Sequence, residues 1–142
     1  MNAKYGFTLV EILIVVTILG ILAAMVIPVF GQASTDAKTA ALASNLSKMR
    51  QQIEVYRNQH NGVLPGTSGS ATFEQAMIGK TTLYGDVGGR YGPYIMDLPK
   101  NSFTDDSTIR VDTNPAGTGT GWHYNPVTGD FQADDSAEHA AI

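Results

Sequence analysis

Glu11 is the one ionisable residue in the stretch from Phe7 to Phe30, where seventeen of twenty-four residues are Leu, Ile, Val, Phe or Met. A carboxylate in such a run must be offset by a partner or by protonation, because its desolvation is costly, and this makes it the first candidate for function. Other reactive side chains offer less. His60, His123 and His139 are scattered, and neither a Ser/His/Asp spacing nor a glycine-rich phosphate motif accompanies them. Gly117-Thr118-Gly119-Thr120-Gly121 lacks the following helix that would make it a phosphate cradle and reads as a flexible connection. Asp105, Asp106, Asp112, Asp130, Asp134 and Asp135 can offer oxygen ligands to calcium, but their spacing is not that of an EF-hand, and a solvated acidic surface is the plainer reading. No catalytic residue and no cofactor is nominated. Cysteine is absent, which removes disulfides and thiolate metal sites.

The element that must carry Glu11 is a long helix. At 1.5 Å per residue, the stretch from Phe7 to Phe30 reaches roughly 36 Å, against about 30 Å of hydrocarbon. Large apolar residues favour insertion by roughly 0.3–0.6 kcal/mol each, and a mid-bilayer acid opposes it by roughly 2.5–3.5 kcal/mol. Apolar burial therefore wins, the more so because Glu11 lies near one end. Lys4 and the initial amine precede the run, and the next charges beyond it are Asp36 and Lys38, which favours a cytoplasmic N-terminus. A cleavable secretory signal has an apolar core of about 7–15 residues, shorter than this one, although Ala23-Ala24-Met25 keeps that reading open. A plain signal-anchor fits the length but gives the acid no role. The chain carries a net charge of −4, with its acids concentrated toward the C-terminus, so nucleic acid is not an expected partner.

Lys4-Tyr5-Gly6-Phe7-Thr8-Leu9-Val10-Glu11, followed at once by Ile12-Leu13-Ile14-Val15-Val16, closely resembles the precursor signature of type IV pilins and type II secretion pseudopilins. The resemblance implies that a prepilin peptidase cuts between Gly6 and Phe7, that the same enzyme methylates Phe7, and that Glu11 is the family's assembly acid. The chemistry is coherent with this. Gly6 has no Cβ and can be held extended in a protease cleft. Cleavage leaves the apolar run intact and exposes an ammonium four residues from Glu11, so the acid of one subunit can pair with the terminus of its neighbour. Tyr91-Gly92-Pro93-Tyr94-Ile95 and Leu98-Pro99-Lys100-Asn101-Ser102-Phe103 resemble a pattern of major pseudopilins, with Ser102 where that family often has proline. Major pseudopilins commonly bind calcium in their C-terminal loops, and the resemblance extends that expectation to the aspartates here.

Pro28 and Gly20 lie inside the apolar run and predict a bend or softened segment, and Gly20 with Ala24 forms a small-xxx-small pair. Beyond Gly31 the helical period turns amphipathic. Leu42, Leu46, Met49, Ile53 and Tyr56 recur at spacings of four and three, with Asp36, Lys38, Lys48, Arg50 and Arg57 on the other face. The stripe is expected to pack on the chain's own sheet, the alanines at 33, 37, 40 and 41 to face neighbouring subunits, and the basic face to be available to an adjacent acidic head. One helix is predicted from about Thr8 to about His60, ending at Asn61-Gly62. In the remainder, Thr72 to Ile78 reads as a short helix. Gly121-Trp122-His123-Tyr124 and Asp130-Phe131-Gln132-Ala133 read as a hairpin around Asn125 to Gly129, with Ile109 to Val111 as a third strand.

The predicted fold is α+β, a long N-terminal helix packed on a small antiparallel sheet. Its parts are a leader at 1–6, a transmembrane assembly helix at 7–30, an amphipathic stem at 31–61 and a head at 62–142. The expected function is that of a non-enzymatic filament subunit of a type IV pilus-like or type II secretion pseudopilus system. Its partners would be further pilin-like subunits, the peptidase and methyltransferase, an inner-membrane assembly platform and, before assembly, membrane lipid. The head would lie in the periplasm and the finished filament in the periplasm or at the cell surface. The alternative from another class is a single-pass membrane-anchored periplasmic binding or enzymatic domain.

Overall fold

A four-and-three spacing of apolar residues keeps one face of a helix turned to a core, and α1, Leu9–Gln59, is built that way in its C-terminal half. The computed structural model describes residues 6–119 and 121–142, with the side chains at 27–30 excepted. Lys4 and the other leader residues before Gly6 lie outside the described residues. The chain forms two compact units, one ending at Ala37 and the other running from Lys38 to Ile142.

In the first unit the helix carries apolar side chains on every side, and among the described residues none of the large ones is buried. From Phe7 to Val26 the large apolar side chains are all between 48% and 82% exposed. Among the described residues this is the one helix long and apolar enough to cross a membrane.

The second unit is built on the amphipathic half of α1. Leu42, Leu46, Met49, Ile53 and Tyr56 are at most 2% exposed, and His60 continues the same stripe four residues on. Burying each such side chain contributes roughly 1.5–3 kcal/mol. Facing them are α2, Phe73–Ile78, and a three-stranded sheet of β1, Ile109–Val111, β2, Trp122–Tyr124, and β3, Phe131–Ala133. The helix α2 starts at a capping box, in which the Thr72 hydroxyl accepts from the Gln75 N–H and the Gln75 side chain accepts from the Thr72 N–H. Phe73 then lies 4.0 Å from the Tyr124 ring, centroid to centroid. The last element is α3, Ala137–Ala140, against β3, where the Gln132 amide donates to the Ala140 carbonyl. Its four residues are too few for a periodic signal, and it was not predicted.

The strand order is β1-β2-β3. The β2–β3 hairpin is antiparallel, as expected, with His123 opposite Gln132. Its turn is held by the Asn125 side chain, which accepts from the N–H groups of Val127 and Thr128. β1 pairs with β2 in parallel, so the sheet is mixed rather than wholly antiparallel. A parallel partner needs a connection long enough to carry the chain back to its starting end. The loop between Val111 and Trp122 does this, and it is anchored along the way by a buried acid, Asp134. Gly62 closes α1 at a φ of 86°, a conformation that costs glycine nothing, and its N–H caps the Arg57 carbonyl.

Candidate functional site

At the start of α1, Gly6, Phe7 and Thr8 precede the helix and Phe7 is 82% exposed. Thr8 and Glu11 form a reciprocal cap. The Thr8 N–H and hydroxyl donate to Glu11 Oε2 at 3.0 and 3.1 Å, and the Glu11 N–H donates back to the Thr8 hydroxyl at 3.2 Å. Glu11 thus sits at the third helical position of a capping box, a Thr-x-x-Glu pattern that the sequence reading did not use. The cap satisfies helix N–H groups that hydrocarbon could not, and it fixes the carboxylate beside the residues that precede the helix. Among the described residues, chain neighbours apart, nothing lies within 4 Å of where a Gly6 Cβ would stand.

Farther along α1, Ala33, Ala37, Ala40 and Ala41 are exposed. Arg50, which the sequence assigns to a face open to other subunits, is engaged within its own head. Its Nε donates to the Phe131 carbonyl at 2.9 Å and its Nη1 to the Ile142 carbonyl at 3.2 Å. The carbonyls of β3 and of the residues after α3 lie over that face, and a periodicity argument cannot see them.

The three histidines are apart and structural. His60 stacks on Tyr56 at 3.7 Å between ring centroids. Its Nδ1–H donates to the Tyr56 carbonyl, which leaves Nε2 to accept from the Thr81 hydroxyl, each at 2.9 Å. His123 Nε2 faces the Asp112 carbonyl and carboxylate at 3.1 and 3.2 Å, and both of these only accept. His139 pairs with Asp135 and packs on Phe103. His139 meets Asp135 through its ring but Ser136 only through its backbone N–H, and among the described residues no histidine ring nitrogen is hydrogen-bonded to a serine hydroxyl. The hollow of about 380 Å³ lined by Thr72, Glu74, Ser107 and Thr108 contains no histidine.

Asn101, part of a stretch the sequence singled out by resemblance, has a role that the resemblance did not supply. It is fully buried, and its amide donates to the Gly121 carbonyl at 3.1 Å and to Asp135 at 2.6 Å. Its side-chain oxygen accepts from the Phe103 N–H at 2.9 Å. Around it, the Trp122 indole donates to the Pro99 carbonyl at 2.7 Å and Ser102 to the Lys38 carbonyl at 2.7 Å. The Leu98 to Phe103 stretch is therefore a tether between helix, sheet and C-terminal segment. An asparagine inside a Leu-Pro-Lys-Asn-Ser-Phe loop was the available signal.

A second buried polar centre gathers around Arg110. Its Nε and Nη2 donate to the two carboxylate oxygens of Asp134 at 2.8 and 2.9 Å, and its Nη1 donates to Asp112 at 2.6 and 2.8 Å. Asp134 is 1% exposed. For Asp112, partial burial works against the charge, but hydrogen bonds from Arg110, the Asn114 N–H and His123 outweigh it and hold the carboxyl at about 2. Burial likewise opposes the charge on Asp134, and Arg110 with the Thr118 and Gly117 N–H groups overcomes it and lowers that carboxyl too. The guanidinium is correspondingly raised, first by Asp134 and then by Asp112. The glycine-rich stretch here is no loose connection. Gly117 and Thr118 donate to the Asp134 carboxylate and Gly119 to its carbonyl, so this loop cradles an anion that belongs to the chain itself. A Cβ on Gly119 would collide with that carboxylate.

A family model described as the prokaryotic N-terminal methylation motif matches residues 1–27. The chain is 29% identical over 135 residues to the type II secretion system core protein G of Vibrio cholerae serotype O1, covering 85% of this chain and 90% of that protein. It is 32% identical over 85 residues to fimbrial protein Q of Moraxella bovis and 30% identical over 82 residues to the type IV major alpha-pilin of the same organism. Those two matches cover 60% and 58% of this chain, and 53% and 50% of the relatives. No solved structure matches significantly. The chain thus carries the N-terminal methylation motif, and its likeness to a pilin-like protein extends over 85% of its length and is not confined to that motif.

Proposed function

We propose that the chain is a precursor cut between Gly6 and Phe7, methylated at Phe7, and then assembled as the structural subunit of a pseudopilus-like filament of a type II secretion system. The observation that carries this reading is a helix whose described apolar side chains are exposed on every side, opening on a capped acid. Such a surface requires lipid first and then other copies of the same helix. The secretion-system version is favoured over a true pilus because the likeness to core protein G extends over 90% of that protein, against about half of each Moraxella pilin. A non-enzymatic role follows from the same reading.

In assembly, the Phe7 ammonium of one subunit takes the place of Thr8 as partner to the Glu11 carboxylate of a neighbour. An N-methylamine remains basic, and an ion pair in hydrocarbon is stronger than a hydroxyl contact. Uncut precursor has no ammonium there. The partners are the peptidase and methyltransferase, an inner-membrane platform and other pilin-like subunits. The head stands in the periplasm before and during assembly.

N-terminal sequencing and mass measurement of the mature protein test the processing: the expected product begins at methylated Phe7. Filaments built from chains that retain Met1 to Gly6 would refute the proposal. Glu11→Ala is expected to insert and be cut normally but to assemble poorly, read as sheared filament yield against membrane-bound subunit. A normal yield would remove Glu11 from assembly.

A further inference from the structure

Family resemblance brings with it a calcium ion in the C-terminal loop, and the sequence has acids enough to hold one. The two acids which that loop brings together are Asp112 and Asp134, and the Arg110 guanidinium joins them. All three of its nitrogens are used: Nε on Asp134, Nη1 on Asp112, and Nη2 on both Asp134 and the Pro115 carbonyl at 2.9 Å. Asp134 Oδ1 also accepts from the Gly117 and Thr118 N–H groups, and Asp112 Oδ1 from that of Asn114.

Calcium takes six to eight oxygens turned toward a common point. Here the carboxylate oxygens face N–H groups, and the positive charge at their centre is covalently part of the chain. The other four candidate aspartates have their own engagements: Asp105 with Lys100, Asp106 with Thr108, Asp130 with Thr128, and Asp135 with Asn101 and His139. Among the described residues no three His, Asp or Glu side chains are grouped to hold a metal. These residues do not fit the ion. We infer that Arg110 is the built-in counter-cation of the C-terminal loop, and that this head folds without calcium. A planar fork can bridge two carboxylates and a carbonyl at once, which an ammonium cannot.

The test uses the full chain in detergent. Wild type, Arg110→Met and Arg110→Lys are melted in excess calcium chloride and in excess chelator, with near-ultraviolet circular dichroism reporting the Trp122 environment. Calcium is also titrated calorimetrically into the wild type. Expected are coincident wild-type melts, no stoichiometric calcium heat, a midpoint about 10 °C lower in Arg110→Met, and partial recovery in Arg110→Lys. A wild-type midpoint that rises with calcium, a stoichiometric calcium heat, or an Arg110→Met melt that matches wild type would each overturn the inference. Should Arg110→Met fail to fold, the two wild-type measurements still decide.

Discussion

Thr8 and Glu11 cap each other at the start of α1, and in the proposed assembly the carboxylate passes to a second partner. In the isolated chain Glu11 closes the first turn of α1 through Thr8. Replacing Thr8 by valine keeps the shape but removes a hydroxyl worth about 1 kcal/mol as a cap. Faster hydrogen exchange at the amides of the first turn, with unchanged protection at Leu46 and Ile53, is the expected result. At the Arg110 centre the pH dependence has a definite sign. Asp112 and Asp134 are held below the ordinary aspartate value of about 3.9, so the stability they contribute is complete well above that value and is lost as pH falls through it, for Asp112 toward about 2. In Arg110→Met, burial of Asp134 acts without its counter-charge and raises that carboxyl, so the direction reverses. That variant should melt higher at pH 4 than at pH 7, whereas the wild type should hold its midpoint down to about pH 4 and lose it only below, so thermal scans at pH 7, 4 and 3 will separate them.

Along α1, one helix presents surfaces with opposite requirements. Leu46 is fully buried, and Leu46→Ala should lower head stability by about 2–5 kcal/mol in urea unfolding followed by Trp122 fluorescence. Ala41 is exposed on the same helix. Ala41→Leu should leave unfolding within about 0.5 kcal/mol of wild type. If that surface meets neighbouring subunits, the same substitution should reduce filament yield. The spacing that makes the stripe is local, and for that reason α1 was legible to within a residue at either end. The α2 helix and the β2–β3 hairpin were legible too, because a Thr-x-x-Gln cap and an Asn-Pro-Val-Thr-Gly turn each act over five residues or fewer. Parallel pairing of β1 was not, since nothing near Ile109 indicates which end of β2 it will meet.

At the scale of the whole chain, the second unit contains its own core, from Leu42 on α1 to Ala133 on β3. A fragment from Lys38 to Ile142 should therefore be soluble, monomeric by analytical ultracentrifugation, and should melt in one transition at the midpoint that the head shows within the full chain. The full chain should partition with membranes. A fragment that unfolds or aggregates would mean that the head depends on residues before Lys38.

The anchoring helix, its acid at position 11, the glycine before Phe7 and the stripe on the stem were all determined by the sequence, because each rests on residue types at fixed short spacings. Only the tertiary structure decided that Arg110 neutralises Asp134, 24 residues away, that Asn101 reaches Asp135 across 34, and that Arg50 belongs to its own head. Spacing cannot reveal such pairs. Which acid meets which cation depends on where a folded loop returns, and burial then turns that meeting from a surface contact into a requirement of the fold.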